Sequence, residues 1–368
     1  MRRARWWGWK FLAWTVGCLL FLLLIVLPLT MTLLISLGNT VSGPLAGFLA
    51  FAENLIAGVM MAFAAAWVFF LGGSFASFLN VVAARVPQGR SILGSSHCPY
   101  CNVALSFRDN IPVVGWLKNS GRCSNCRLPI TPRYLFVELV MGTIFLVVAA
   151  TTLLTGGANL PIRPPSQMLM LTRMLVEPAP ELVCILSVQL TMILGLYTLV
   201  LIELDRQRIP VSVWLTVMAI GVGLVAIFPQ ALLVHWFYPV STLELPMSRE
   251  IAMVTVGIGA IVGLGIGWLL DFFVSAAVGN GELEESEAAI EPAPRLVFGM
   301  PLIGVFGGWQ SVLIVAVLYL VCRAGWSRFA SVEDSKSYIS NLFWSPHAPL
   351  LIATLLYLAT WRLLGVFA

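Results

Sequence analysis

Long apolar runs separated by short polar connections dominate this chain, and the runs set its architecture. A helix crosses the hydrocarbon core of a bilayer with about 20 mostly apolar residues. Eight stretches meet that requirement, roughly 11–37, 57–84, 134–155, 182–203, 211–228, 251–278, 300–322 and 348–367. The second and sixth are long and glycine-rich, which predicts tilt or a break. The first comes after Arg2, Arg3, Arg5 and Lys10, as a signal peptide would. Its apolar run is too long for a signal h-region and lacks a clear small-x-small cleavage site, so it is read as a span. The pattern therefore predicts an all-α polytopic membrane protein of about eight transmembrane helices. One interruption, residues 85–133, is long and polar enough to fold outside the bilayer.

Composition sharpens this picture by exclusion. Of 368 residues, 59% are hydrophobic and 10% charged, with a mean hydropathy of +0.93. Soluble domains carry about 25% charged residues, so a soluble enzyme, a disordered regulator and a nucleic-acid-binding module are excluded. A large catalytic domain outside the membrane would leave too few residues. The net charge of +4 matters less than its distribution. Eight spans put both termini on one side, and 15 of the 21 Lys and Arg residues fall on that side, seven of them in 85–133. Positive loops stay in the cytoplasm, which predicts cytoplasmic termini and a cytoplasmic 85–133 segment.

That segment carries recognisable site chemistry. Cys98-Pro99-Tyr100-Cys101 and Cys123-Ser124-Asn125-Cys126 form two C-x2-C knuckles 21 residues apart. Each such turn presents two sulfurs to one ion, so Cys98, Cys101, Cys123 and Cys126 predict a structural four-thiolate zinc site in a small zinc-ribbon-like domain. Disulfides or free thiols are the alternative, and a reducing cytoplasm disfavours the former. A domain this small has little apolar core, so the ion would supply folding energy. Cys18, Cys184 and Cys322 lie in apolar spans and read as buried thiols.

The same region resembles a known family. Gly73-Ser74-Phe75, Phe78-Leu79-Asn80-Val81-Val82 and Arg85-Val86-Pro87 are similar to the GSFLNVxxxRxP segment of bacterial type IV prepilin peptidases. His97-Cys98-Pro99 with Cys101, Asp109-Asn110-Ile111-Pro112 with Trp116, Gly121-Arg122-Cys123 with Cys126, Pro129-Ile130, Arg133-Tyr134 and Glu138-Leu139 resemble the family's adjoining HCPxC, DxIPxxxW and second-knuckle stretches, in order and spacing. Further on, Ile202 to Pro210 resembles IDxDxxxIPD, and Gly304 to Gln310 resembles the GAxLGWQ after the family's second catalytic motif. On this resemblance residues 57–142 correspond to the N-terminal peptidase region and 143–322 to the membrane core, with 1–56 an extra span and 323–368 a C-terminal loop and last span. The resemblance implies an intramembrane aspartic endopeptidase of the bacterial cytoplasmic membrane. Such an enzyme removes a basic leader from type IV pilin-like precursors, and many members then methylate the new amine with S-adenosylmethionine.

Two aspartates perform the family's proteolysis, as a pair of carboxyl groups whose pKa values are split by proximity. Counting back seven residues from Pro210 reaches Glu203, a glutamate, and Asp205 takes the second acidic position of that motif. Counting back eight residues from Gly304 reaches Leu296 where the second motif has its aspartate. Two residues are candidate stand-ins: Asp271, inside an apolar stretch, and Glu282 of Gly279-Asn280-Gly281-Glu282. The candidate catalytic residues are thus Glu203, Asp205 and Asp271. Glu203 and Asp205 also fit a helix-end ion cluster with Arg206 and Arg208, and Asp271 fits an interfacial or protonated carboxyl group. Glu282, Glu284, Glu285, Glu287 and Glu291 read as a solvated acidic loop or as a holder of basic leader residues. Two functions are compatible with these residues: a prepilin peptidase-like enzyme, or an inactive relative that binds pilin-like or secretion proteins in the membrane. A transporter is disfavoured, because few charges sit at mid-membrane depth and there is no internal repeat.

Overall fold

The computed structural model describes residues 15, 18–26, 29–30, 44–154, 157, 180–232, 248–278, 295–330 and 345–364. The elements are helical: α1 (Pro44–Arg85), α2 (Val114–Lys118), α3 (Arg133–Ala149), α4 (Pro180–Leu204), α5 (Val211–Ile227), α6 (Arg249–Val278), α7 (Leu296–Gly307), α8 (Trp309–Ala330) and α9 (His347–Leu364). The protein is an all-α membrane protein with a small cysteine-bearing domain between α1 and α3. Among the described residues, four helical stretches are long and apolar enough to cross a bilayer: Phe51–Gln88, Arg133–Leu153, Pro180–Leu204 and Arg249–Phe273. They correspond to the predicted spans at 57–84, 134–155, 182–203 and 251–278. The spans predicted at 211–228, 300–322 and 348–367 appear as shorter apolar helices, and most of 11–37 lies outside the described residues. The stretch 300–322 is two helices rather than one, because the chain breaks at Gly308, whose φ of 81° suits glycine.

The chain divides into two compact units. The first comprises Met1–Asn80, Leu93–Ala150 and Met168–Pro178, and the second comprises Val81–Ile92, Thr151–Gln167 and Ala179–Ala368. In the first unit α1 and α3 pack by exchanging a glycine for an aromatic ring. A Cβ on Gly72 would lie 2.8 Å from Phe145, and one on Gly142 would lie 2.8 Å from Phe69. Both rings are buried. The small domain joins this helix pair through one apolar cluster, in which Val113 and Trp116 pack with Phe69, Leu135 and Leu24. Elsewhere α1 turns Phe63 and Trp67 outward, as lipid-facing helices do.

In the second unit the backbones of α6 and α7 approach closely. Gly259, Gly263 and Gly267 recur every four residues and so share one face of α6. A Cβ on Gly259 would meet the Gly304 carbonyl at 2.2 Å, one on Gly263 would meet Pro301 at 2.6 Å, and one on Gly267 would meet the Leu296 carbonyl at 2.7 Å. Small residues let membrane helices touch backbone to backbone. Asp271 continues the same four-residue register, and this register delivers its carboxylate to the start of α7. Trp214 of α5 ties the opposite side of α7 by donating Nε1–H to the Phe298 carbonyl at 2.9 Å.

Candidate functional site

The two cysteine knuckles are conformational copies of each other. In the first, Cys98 N donates to Val103 O (3.0 Å), Asn102 N to Cys98 O (2.9 Å) and Leu105 N to Ser96 O (2.8 Å). In the second, Cys123 N donates to Leu128 O (3.0 Å), Arg127 N to Cys123 O (3.1 Å) and Ile130 N to Gly121 O (2.8 Å). The same offset residue takes a left-handed conformation in each, Asn102 with φ 55° and Arg127 with φ 60°. Each turn aims two sulfurs inward, and the four meet. All lie within 4.8 Å of one another, the one such group of three or more candidate ligands among the described residues. Cys98 Sγ is 3.8 Å from Cys126 Sγ and Cys101 Sγ is 3.9 Å from Cys123 Sγ. A tetrahedron with metal–sulfur bonds of about 2.3 Å has sulfur–sulfur edges of about 3.8 Å, so the geometry fits a metal ion. All four cysteines are free thiols. Their titration carries the mark of crowding. Hydrogen bonds from the Val103 amide and the Asn125 side chain pull Cys101 down to about 6. Cys126 is drawn down by the Leu128 amide, but burial and its three neighbouring thiols push it up to about 11. Four thiolates at this spacing need a cation.

Asp109 binds the spacer to the second knuckle. Its carboxylate accepts from Asn119 Nδ2 (2.9 Å), Ser106 Oγ (2.8 Å) and Ser124 Oγ (2.9 Å), with Lys118 Nζ at 3.8 Å. Those hydrogen bonds, Asn119 first, hold Asp109 down at about 2. Glu138 anchors the domain to α3, accepting from Val113 N at 2.6 Å. Val113 needs that anchor: its φ of 63° is a strained conformation for a β-branched residue.

The second unit holds the candidate acids. Glu203 ends α4 and is buried. Its Oε2 accepts from the Ser345 hydroxyl and from His347 N at 3.3 Å, and its Oε1 lies 2.8 Å from His347 Nδ1. Its side chain is 2% exposed and that of His347 is 0% exposed, so the pair is sealed from solvent. Asp271 is half-buried and accepts from Leu296 N and Val297 N, each at 3.1 Å. It therefore caps α7 at the very residue that motif counting gives for the family's second aspartate. Asp205 lies in the turn after α4, with its backbone N–H on the Leu201 carbonyl at 3.3 Å and its side chain partly exposed. Glu282, Glu284, Glu285, Glu287 and Glu291 lie outside the described residues. Sequence reasoning missed Ser345 and His347. They stand 142 and 144 residues from Glu203, and only a lone histidine opening the last apolar stretch hinted at them.

Residues 70–152 match the family model of the Bacterial Peptidase A24 N-terminal domain. The chain is 46% identical over 82 residues to the prepilin leader peptidase/N-methyltransferase of Myxococcus xanthus, which is 22% of this chain and 24% of that protein. It is 40% identical over 88 residues to the protein of the same name from Klebsiella pneumoniae, 22% of this chain and 39% of that one. A type 4 prepilin-like proteins leader peptide-processing enzyme of Escherichia coli is 38% identical over 90 residues, 19% of this chain and 34% of that one. The chain thus spans about a quarter to two fifths of the length of these relatives. No solved structure matches it. Over residues 70–152 the chain is similar to type IV prepilin peptidases.

Proposed function

We propose that this protein is a prepilin peptidase-like enzyme of the bacterial cytoplasmic membrane that cleaves the leader of type IV pilin-like precursors at the cytoplasmic face. The single observation that carries this reading is the placement of acids in the second unit. Glu203 occupies the family's first acidic position, and Asp271 brings a carboxylate to the backbone N–H of Leu296, the position of the second. α6 and α7 are held backbone to backbone, so Asp271 of α6 supplies a carboxylate at the start of α7. An acid pair of this kind polarises a scissile carbonyl and handles the proton of an attacking water. The Lys and Arg distribution supports cytoplasmic termini and a cytoplasmic cysteine domain. Relatives named N-methyltransferases support methylation from S-adenosylmethionine as a second activity, and no residue of this chain is assigned to it.

Zinc suits the four thiols. Cys98, Cys101, Cys123 and Cys126 would hold it, and the ion would neutralise crowded thiolates and lock the two knuckles together as a structural centre. A second reading has its own observation. The Glu203 carboxylate is enclosed by Ser345 and His347, which favours an inactive relative acting as a membrane assembly factor for pilin-like proteins. Purified protein in liposomes, mixed with a pilin-like precursor bearing a basic leader, separates the two. The peptidase reading expects a leader-length mass loss that Glu203→Ala and Asp271→Asn each abolish. An intact precursor with wild-type protein supports the binding reading instead.

A further inference from the structure

The two cysteine knuckles share a backbone path but not a surface. Position for position, Tyr100 of the first corresponds to Asn125 of the second, and Asn125 Nδ2 lies 3.7 Å from Cys101 Sγ. A knuckle turn therefore does not require an aromatic ring at that place. Tyr100 is nonetheless 60% exposed, and the flanks of its hairpin carry Leu93 at 83% and Phe107 at 85% exposure. The hairpin is closed by pairing of His97 with Ala104 and by Leu105 N on Ser96 O, so the three apolar side chains belong to one small unit. Apolar groups of this size gathered on a surface mark a contact with something apolar.

The way the domain is fastened identifies that partner. Val113 N donates to Glu138 of α3 at 2.6 Å, and a Cβ on Gly73 of α1 would lie 3.1 Å from Pro112. Glu138 is five residues past Arg133, the start of α3, or about 7.5 Å along the helix axis. Tyr134 and Phe136, exposed on the turn between them, are side chains of the kind that settle at headgroup level. The headgroup layer is about 5–8 Å thick, so a domain fastened at Glu138 lies against the bilayer rather than above it. Phe107 is five residues before Pro112, about 18 Å of chain at most.

Charge decides among apolar partners. Residues 93–133 hold five basic side chains, Arg108, Lys118, Arg122, Arg127 and Arg133, and one acid, Asp109. The carboxylate of Asp109 is turned to its own donors and to Lys118. Arg108, Lys118 and Arg127 are exposed. A basic leader peptide or a second copy of this domain would meet like charge, whereas anionic lipid attracts basic side chains at the membrane surface. Apolar side chains interleaved with Arg and Lys are the composition of a surface that lies in the bilayer interface.

We propose that the first knuckle hairpin is an interfacial anchor: Phe107, Tyr100 and Leu93 enter the headgroup region of an anionic leaflet, and the domain's exposed basic side chains meet lipid phosphates. The anchor holds the cysteine domain flat against the membrane that α1 and α3 enter, and it stands whether or not the protein cleaves a peptide.

The test places the full chain in nanodiscs of phosphatidylcholine alone or mixed with phosphatidylglycerol. A trifluoromethylphenylalanine replaces Phe107, Tyr100 or Asn125, one at a time; all three side chains are exposed. Broadening of the 19F line by a headgroup-proximal lipid nitroxide reads contact with the bilayer, and broadening by a soluble gadolinium chelate reads contact with water. In the mixed discs the labels at 107 and 100 are expected to respond to the nitroxide and to be shielded from the chelate, and the label at 125 to do the reverse. Arg108→Gln is expected to lower the ratio of lipid-contacting to water-contacting label at 107 about fivefold, the worth of one basic residue near anionic lipid. Phosphatidylcholine alone should lower it further. Chelate broadening at 107 and 100 equal to that at 125 overturns the proposal. Shielding from both agents also overturns it, as the result expected if the acidic 282–291 segment or a second copy covers the hairpin. Equal nitroxide contact in both kinds of disc overturns it too, because the basic side chains would then have no part.

Discussion

Asp109 shows what one side chain contributes to this structure. It gathers donors from Asn119, Ser106 and Ser124, and so ties the spacer of the cysteine domain to its second knuckle. Its folded value of about 2 lies below the unfolded carboxylate value of about 3.9. The charged form is the one the fold prefers, so the stabilisation is complete above about pH 4 and is lost as pH falls toward 2. The stability advantage of wild type over Asp109→Asn should therefore stay constant from neutral pH to about 4 and then shrink, in unfolding of the cysteine domain followed by protease susceptibility of residues 85–133. An advantage that grows on acidification would show that the hydrogen bonds are not made to a carboxylate. At this scale the sequence was readable where partners are close in the chain. C-x2-C spacing exposed the four ligands because a single tight turn sets both sulfurs. Ser345 and His347 were not readable, because tertiary packing alone brings α9 onto the end of α4.

At the scale of elements, the glycine register of α6 fixes where Asp271 goes. Gly304 touches Gly259 so closely that a Cβ on it would lie 1.9 Å from the Gly259 carbonyl oxygen. Gly304→Ala must push α6 from α7, at about 1–3 kcal/mol for overpacking, and should loosen the Asp271 cap. Gly257 and Gly265 meet nothing within 4 Å, so alanine there is expected to stabilise the helix, by about 0.5–1 kcal/mol. Thermal unfolding in detergent compares the three. Equal effects at Gly304 and Gly257 would contradict backbone contact between these helices. Hydropathy found the apolar helices because burial in lipid demands continuous apolar runs. It joined α7 and α8 into one span because Gly308 is neutral on any hydropathy scale. Counting residues from Gly304 reached Leu296 and no acid, while the carboxylate at that residue's amide belongs to Asp271 of the neighbouring helix.

For the molecule as a whole, apolar helices carry a cysteine domain with a small apolar cluster and four converging thiols. Purified wild-type protein is expected to contain about one zinc ion per chain, as four-thiolate sites do. Cys123→Ser should lose it and expose residues 85–133 to protease, while α4 to α9 stay folded. Wild-type protein with no stoichiometric metal would remove the zinc assignment and leave the four free thiols unexplained. Motifs within 72–142 made the family resemblance legible from sequence, and the match at 70–152 covers the same stretch. Function was less legible, because both acidic positions depart from the pattern of the family the chain resembles, and the residues that contact Glu203 come from the distant C-terminal segment.

The central claim is that the centre around Glu203 hydrolyses a peptide bond. Its most direct test is expression in bacterial cells lacking their own prepilin peptidase, with the N-terminus of a pilin-like precursor read by mass spectrometry. Wild-type protein is expected to yield the shortened pilin and Glu203→Gln the full-length precursor. Full-length precursor in both strains, with the protein present in the membrane, would contradict the account.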